Sequence, residues 1–332
     1  MSRGTILVTG GAGYIGSHTV LALRARGEPV VVLDNLYSGF RQAVLDTPLV
    51  VGSVGDRELV ARVLREHKVD TVMHFAAHTV VPESVSNPLK YYGNNTCNTR
   101  TLLEACSEAG VRNFVFSSTA AVYGAPDESP IPEDAPLRPI NPYGETKRTL
   151  ETALEWYGRA HGLRSVTLRY FNVAGATNAL GEDHDPETHL IPNVLASAEG
   201  GPALTVFGDD YPTPDGTCVR DYIHVADLAD AHLLALEATT PGDRRTDTPL
   251  VCNLGNGGGF SIREVLDATA RLVGHEVPHA MGPRRAGDPP VLVATADRAR
   301  DMLRWQPRRP SLDEIIGSAL EWRRTHPRGY RA

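Results

Sequence analysis

Tyr143 and Lys147 stand four residues apart at the start of a helical stretch, a spacing that puts both side chains on one helical face. A phenol titrates near ~10 and is a poor base at neutral pH. A neighbouring ammonium favours the phenolate, and a cationic cofactor would add to that effect. Lowering a phenol by ~3 units takes about 4 kcal/mol of differential interaction, within reach of two close positive charges in a partly desolvated site. The chemistry such a pair suits is reversible proton transfer at a hydroxyl. By itself Y-x-x-x-K also describes an exposed helical pair. Its context narrows it: Phe116-Ser117-Ser118-Thr119 closes a strand-like run, which places Thr119 to hydrogen-bond a substrate hydroxyl.

A second constellation lies at the beginning of the chain. Thr5 to Thr9 leads into Gly10-Gly11-Ala12-Gly13-Tyr14-Ile15-Gly16, a glycine pattern between a strand and a helix. Glycines there permit a tight turn and close approach of a pyrophosphate, while the helix N-terminus directs free N–H groups at the anion. Asp34 ends the second strand-like run, where a carboxylate can accept from ribose hydroxyls and would repel a 2′-phosphate, so NAD is favoured over NADP. Gly255 to Gly259 is also glycine-rich but reads as a tight turn before a helix capped by Ser261.

Histidine spacing suggests metal ligation in two places and supports it in neither. His74 and His78 straddle a strand end, and His184 with His189 lies in a loop whose setting favours polar or substrate contacts. No metal is expected.

These residues need a scaffold. Strands are expected at Thr5–Thr9, Val30–Leu33, Leu49–Val51, Thr71–Phe75, Asn113–Phe116, Ser165–Tyr170 and Leu250–Asn253. Helices are expected at Ser17–Arg26, Asp56–His67, Pro88–Ala109, Tyr143–His161, Ile191–Glu199 and Val225–Ala238. Apolar strands alternating with helices imply crossovers and a parallel sheet covered on both faces. The fold class is α/β: a Rossmann-like, doubly wound parallel sheet with a smaller, irregular α/β lobe for substrate. Residues 1–171, with a returning segment near 217–254, are assigned to the cofactor domain, and 172–216 with 255–332 to the lobe. Ser261–Glu264 and Ser311–Glu314 both have capping-box spacing.

The 332 residues are 41% hydrophobic and 22% charged, ordinary for one sizeable globular unit. A net charge of −7 disfavours nucleic-acid binding. No apolar run approaches the ~18 residues of a membrane span. The chain runs from Met1 into its first strand with no signal peptide, and its four cysteines form no C-x-x-C pair. A cytoplasmic location is expected.

Together the motifs resemble the extended short-chain dehydrogenase/reductase family, and within it the UDP-glucose (UDP-galactose) 4-epimerases. Besides the stretches above, the likeness rests on Leu33-Asp34-Asn35-Leu36, His74-Phe75-Ala76-Ala77, Pro88 to Asn95 and Leu168-Arg169-Tyr170-Phe171-Asn172. Its most specific part runs from Val206-Phe207-Gly208-Asp209-Asp210-Tyr211-Pro212 to Val219-Arg220-Asp221-Tyr222-Ile223-His224. It spans nearly the whole chain.

The resemblance implies a redox cycle without net oxidation, with Tyr143 as acid/base, Thr119 on the sugar 4-oxygen and Lys147 on the nicotinamide ribose. It implies an NAD site of Gly10, Gly13, Tyr14, Ile15, Gly16, Asp34, Asn35, Ser38, Ser53, Val54, Phe75, Ala76, Ala77, Asn94 and Phe171, completed by Thr119, Tyr143 and Lys147. It implies a UDP-hexose site of Asn172, His189, Leu190, Thr205, Phe207, Arg220, Tyr222, Arg285 and Asp288, with Arg220 on the diphosphate. A homodimer built on the Pro88–Ala109 and Tyr143–His161 helices is implied as well. Ser53 stands where the family often has Asp, Thr79 where many have Lys, and Leu292 where a bulky Tyr or small Cys limits room beside the sugar. Epimerases of UDP-N-acetylhexosamines or UDP-pentoses therefore stay open. Sugar dehydratases need an acid pair just after the Thr, and Ala120-Ala121 cannot transfer protons. A non-catalytic NAD-sensing protein would have no need of Thr119, Tyr143 and Lys147 together.

Overall fold

The computed structural model describes residues 4–285 and 288–331. Met1–Arg3, at the head of the expected leader-free start, lie outside the described residues. The strands are β1 (Thr5–Thr9), β2 (Val30–Asp34), β3 (Leu49–Val51), β4 (Val69–His74), β5 (Asn113–Thr119), β6 (Arg164–Tyr170), β7 (Asn172–Ala174), β8 (Leu204–Phe207), β9 (Val219–Arg220), β10 (Tyr222–His224), β11 (Leu250–Leu254), β12 (Phe260–Ser261), β13 (His279–Gly282) and β14 (Val291–Leu292). The α-helices are α1 (Tyr14–Ala25), α2 (Arg57–Glu66), α3 (Val81–Ser86), α4 (Pro88–Tyr91), α5 (Asn98–Ala109), α6 (Pro142–His161), α7 (Leu190–Ala198), α8 (Val225–Ala238), α9 (Ile262–Val273), α10 (Asp297–Leu303) and α11 (Leu312–Thr325).

Seven strands form one sheet in the order β11-β6-β5-β4-β1-β2-β3, with every neighbouring pair parallel. The order reverses at β1, so the crevice for a ligand opens at the strands' C-terminal ends there. Alternation along each strand feeds two cores. Ile6 and Val8 of β1 join Leu23 of α1, Leu228 of α8 and Trp305 on one face. Leu7 joins Leu64 of α2, Leu102 of α5 and Leu150 of α6 on the other.

Most expected elements are present, with informative differences. α1 starts at Tyr14, three residues earlier than expected, because Gly13 takes an extended conformation (φ −81°, ψ 173°) and lets the helix begin at once. The single helix expected over Pro88–Ala109 is interrupted: Tyr92–Cys97 is a π turn between α4 and α5. The wider turn admits one extra residue and faces Asn95, 1% exposed, inward. Asn95 accepts from the His78 N–H at 2.8 Å and donates to the His78 carbonyl at 3.0 Å and the Thr146 hydroxyl at 3.2 Å. The capping box at Ser261 is complete, while at Ser311 the serine accepts from the Glu314 N–H without a return bond.

The smaller lobe is built from two- to four-residue strands, β7 with β10, β8 with β13, and β12-β9-β14, around a core of Ile191, Val194, Val265, Ile315 and their neighbours. Chain allocation is finer than the expected 217–254 return. Residues 219–224 pair with lobe strands, 225–254 build α8 and β11 of the large unit, and Ala296, Ala299, Leu303 and Trp305 pack into the large core.

Candidate active site

At two positions the loop after β1 leaves room only for glycine. Gly10 has φ +73°, and a Cβ there would lie 2.5 Å from the Ala76 nitrogen. At Gly16 a Cβ would lie 2.2 Å from the Gly10 carbonyl oxygen. The turn closes through Gly13 N–H to Gly10 at 3.2 Å and Ser17 N–H to Gly13 at 2.9 Å. The turn at the positive end of α1 is lined by backbone rather than side chain, an arrangement suited to an anion. Ser38 borders a small cavity with Ala12, Gly13 and Tyr14.

Asp34 closes β2 beside this loop. Its carboxylate accepts from Ala12 N–H at 2.9 Å and Leu36 N–H at 2.8 Å, so it also braces the glycine turn. Burial raises its pKa and the two N–H bonds oppose the rise. Asn35 accepts from Tyr37 N–H, Ser53 from Gly55 N–H, and Val54 is buried. At the end of β4, His74 bonds Thr9 Oγ1 at 2.6 Å and Thr99 Oγ1 at 2.7 Å. Burial, aided by the charge of Lys147, holds its pKa down to about 3, which makes it a neutral bracket between β1, β4 and α5. Phe75, Ala76 and Ala77 follow at the rim, with Phe75 against the His232 ring at 4.7 Å.

α6 is started by Pro142 and by Asn141, whose side chain accepts from Gly144 N–H at 2.8 Å. Tyr143 and Lys147 thereby come up against the end of β5. Lys147 is 2% exposed, its Nζ donates to the Ser117 carbonyl at 2.7 Å, and it lies over the Phe116 ring at 4.9 Å. Burial lowers its pKa to about 7, against the pull of the Glu151 carboxylate. Tyr143 is pushed up to about 12 by burial, and its hydrogen bond with Thr119 works the other way. Thr119 Oγ1 also accepts from Ala121 N–H at 3.1 Å. Asn94, in the π turn, donates to Asn95 at 3.0 Å.

Beneath the pair lies a buried ionic network that sequence reasoning missed. Arg169, the last residue but one of β6, meets Glu151 at 2.6 Å, and both side chains are less than a tenth exposed. Ser118 donates to Glu151 at 2.5 Å, Arg169 to the Tyr123 hydroxyl at 2.8 Å, and Tyr123 to Asn253 at 2.7 Å. The one available signal was spacing, since Glu151 is eight residues beyond Tyr143 and four beyond Lys147 on the same helical face.

The lobe residues gather in two groups. Arg220 pairs with Asp288 at 2.5 Å and donates to the Val219 carbonyl. Asn172 N–H donates to the Asp221 carbonyl at 2.9 Å. Asp221, wholly buried and also missed, accepts from the N–H groups of Asn256, Gly257 and Ala294 at 2.6, 3.1 and 3.2 Å. The Gly255–Gly259 turn thus serves an internal carboxylate. Leu292 pairs with Arg220 across β14 and β9, and with Phe171 packs against Val122, Tyr123 and Ile131. In the other group the Arg285 guanidinium lies 4.0 Å from the Phe207 ring centroid, and exposed Thr205 is on the same strand as Phe207. His189 stands at the N-cap position of α7, which begins at Leu190, and its side chain makes no capping bond. Tyr222 is 4% exposed and packs into the lobe core. Tyr14 joins the two units, its hydroxyl donating to the Gly175 carbonyl at 2.6 Å; Ile15 packs beside it against the large core.

Residues 6–254 match the model of the NAD dependent epimerase/dehydratase family. A UDP-glucose 4-epimerase of Azospirillum brasilense is 55% identical over 96% of this chain and 92% of its own, and one of Lactobacillus helveticus is 50% identical over 98% of each. The crystal structure of UDP-glucose 4-epimerase from Brucella ovis in complex with NAD superposes with a TM-score of 0.92 at 47% identity, covering 96% of this chain and 98% of that one. The chain belongs to the NAD-dependent epimerase/dehydratase family.

Proposed function

We propose that this chain interconverts UDP-galactose and UDP-glucose by epimerisation at C4, with NAD as a bound and recycled cofactor. The carrying observation is that Thr119, bonded to Tyr143 at the end of β5, and the glycine loop after β1 stand at the C-terminal ends of strands of one parallel sheet, with Lys147 buried against Ser117 of β5. The activity is the one named for the Azospirillum and Lactobacillus relatives. When bound, oxidised nicotinamide takes up the C4 hydride and returns it to the opposite face of the sugar. Tyr143 takes the 4-hydroxyl proton and gives it back, Thr119 hydrogen-bonds the same oxygen, and Lys147 binds the nicotinamide ribose. With Tyr143 near 12 and Lys147 near 7, the positive charge of the cofactor supplies the further pull that the phenol needs.

Gly10, Gly13, Tyr14, Ile15 and Gly16 are assigned to the pyrophosphate; Asp34, Asn35, Ser38, Ser53 and Val54 to the adenosine end; and Phe75, Ala76, Ala77, Asn94 and Phe171 to the remaining wall. Arg220 and Arg285 are assigned to the UDP diphosphate, with Asn172, His189, Leu190, Thr205, Phe207, Tyr222 and Asp288 around the nucleotide-sugar. In this reading the UDP end is held by charge and the sugar end loosely, so the 4-keto sugar can turn about its link to the diphosphate. The large unit with residues 225–254 serves as cofactor domain and the rest as substrate lobe.

We also assign a homodimer to the faces of α4 and α6. These helices pack together, and Leu89 and Trp156 on them are 82% and 61% exposed. Light scattering that gives a monomer mass would remove that assignment. Among the described residues no helix is long and apolar enough to cross a membrane, and a cytoplasmic setting is assigned with the UDP-sugar substrate.

Incubation with UDP-galactose and no added oxidant, followed by chromatography, tests the activity. The expected product is UDP-glucose, and none after long incubation with NAD present overturns the reading. UDP-N-acetylgalactosamine run in parallel tests whether the wall made by Leu292 and Phe171 admits a larger 2-substituent.

A further inference from the structure

The connection from β7 to α7 carries Glu182, His184, Glu187 and His189 within eight residues. One ligating atom from each lies within 4.8 Å of the others, the one such group of His, Cys, Asp and Glu among the described residues. His189 Nδ1 is 2.8 Å from Glu182 Oε1 and 3.0 Å from Glu187 Oε1. His184 Nδ1 is 3.3 Å from Glu182 Oε1 and 3.6 Å from Glu187 Oε2. A tetrahedral zinc ion with bonds of ~2.0–2.1 Å spaces its ligands about 3.3 Å apart, and these four separations bracket that value.

Two further observations set the group apart from an ordinary ion-paired loop. The Glu182 side chain is 7% exposed, so its charge is withdrawn from water. The His184 Nδ1 atom is buried, though its side chain is 26% exposed, and at 3.3 and 3.6 Å it makes no well-formed hydrogen bond to the two carboxylates it faces. The loop is also held in place: the Gly181 N–H donates to the Tyr330 hydroxyl at 3.0 Å, Asp183 accepts from Tyr330 N–H at 2.9 Å, and the His184 ring stands edge-on to Tyr14.

We propose that Glu182, His184, Glu187 and His189 bind a divalent cation of the zinc class, which ties the β7–α7 connection against Tyr14 of the dinucleotide loop. Two carboxylates and two neutral imidazoles present a charge of −2 and an N2O2 donor set. Calcium and magnesium seek six or more oxygens, so the two nitrogens select a borderline transition metal. The competing occupants are protons. Imidazole must be neutral to ligate, so the ion displaces protons and mildly alkaline buffer favours it. The sequence pattern had favoured polar or substrate contacts for this loop; convergence of the two Nδ1 atoms is what changes the reading. His189 is shared with the residues assigned above to the nucleotide-sugar, but the site does not rest on the proposed epimerase activity, since its readouts are metal content and spectrum.

The full chain, stripped with chelator and dialysed against zinc, should retain one equivalent by elemental analysis and melt at a higher temperature than the stripped protein. The double variant Glu182→Gln with His184→Gln should bind at least about tenfold more weakly. If it does not fold, His184→Gln alone serves. Cobalt in place of zinc should give visible d–d bands without a thiolate charge-transfer band. Failure to retain zinc, unchanged affinity in the variants, or a thiolate band implicating exposed Cys97 overturns the site.

Discussion

Glu151→Gln should cost more than its distance from any reacting atom suggests. The carboxylate meets Arg169 through Nε at 3.0 Å and Nη2 at 2.6 Å, with side chains 7% and 5% exposed. Removing one partner of a buried pair costs about 3–5 kcal/mol because the other charge stays in a low dielectric. Unfolding entropy of ~2.1 cal/mol/K per residue gives about 0.7 kcal/mol/K for this chain, so the loss corresponds to a Tm lower by roughly 4–7 °C. Calorimetry of the wild type, Glu151→Gln and the pair Glu151→Leu with Arg169→Met checks it. The apolar pair should recover most of the loss, since it leaves no unpaired charge. A second effect follows from the same carboxylate. It is the group that holds Lys147 up, so without it the Lys147 pKa falls further and the alkaline limb of kcat moves to lower pH. A Tm change under about 1 °C, or an apolar pair no more stable than the single variant, would refute the reasoning.

Other outcomes follow from the site. Tyr143→Phe should lower turnover by roughly 10²–10⁴ while NAD binding persists, and near-normal kcat would remove Tyr143 from the acid/base role. Gly16→Ala places a Cβ 2.2 Å from the Gly10 carbonyl oxygen, so NAD should no longer co-purify; wild-type affinity would mean that the loop is not the pyrophosphate site. His74, His224 and His232 are depressed by burial to about 3, 4 and 4 from 6.5. The unfolded chain therefore binds protons that the native state refuses. Stability from these groups is complete above pH 6.5 and is lost as pH falls toward 4, so a Tm that stays flat over that window counts against it.

Legibility in the sequence followed locality. The seven strands of the large sheet announced themselves through apolar runs between caps and glycines, and Tyr143 with Lys147 through one helix's spacing. The π turn was invisible because Tyr92–Cys97 carries no side-chain pattern that distinguishes it from an α-helix; its cause is Asn95 reaching His78 and Thr146, far away in sequence. Strands β9, β12 and β14 have two residues each, too few for a period to register. Asp221 and Arg169 look like surface charges until the fold brings three backbone N–H groups to one and a helical glutamate to the other.

The π turn also makes this region count its residues. An α-helix advances by about 100° per residue, and the wider turn takes up one residue without passing that rotation on. Deleting one residue between 92 and 97 would let the ladder close as α with α4 and α5 close to their present phase, and the loss would fall on the turn itself, taking Asn95 from His78 and Thr146. An added residue would have no second wide turn to absorb it, and with Leu102, Leu103 and Cys106 fixed in the core it would rotate everything before it by about 100°. Along this stretch a substitution changes one contact and a deletion removes the turn, whereas an insertion changes the phase of every contact upstream, and the helix bearing Tyr143 would lose the neighbour that Thr146 now touches.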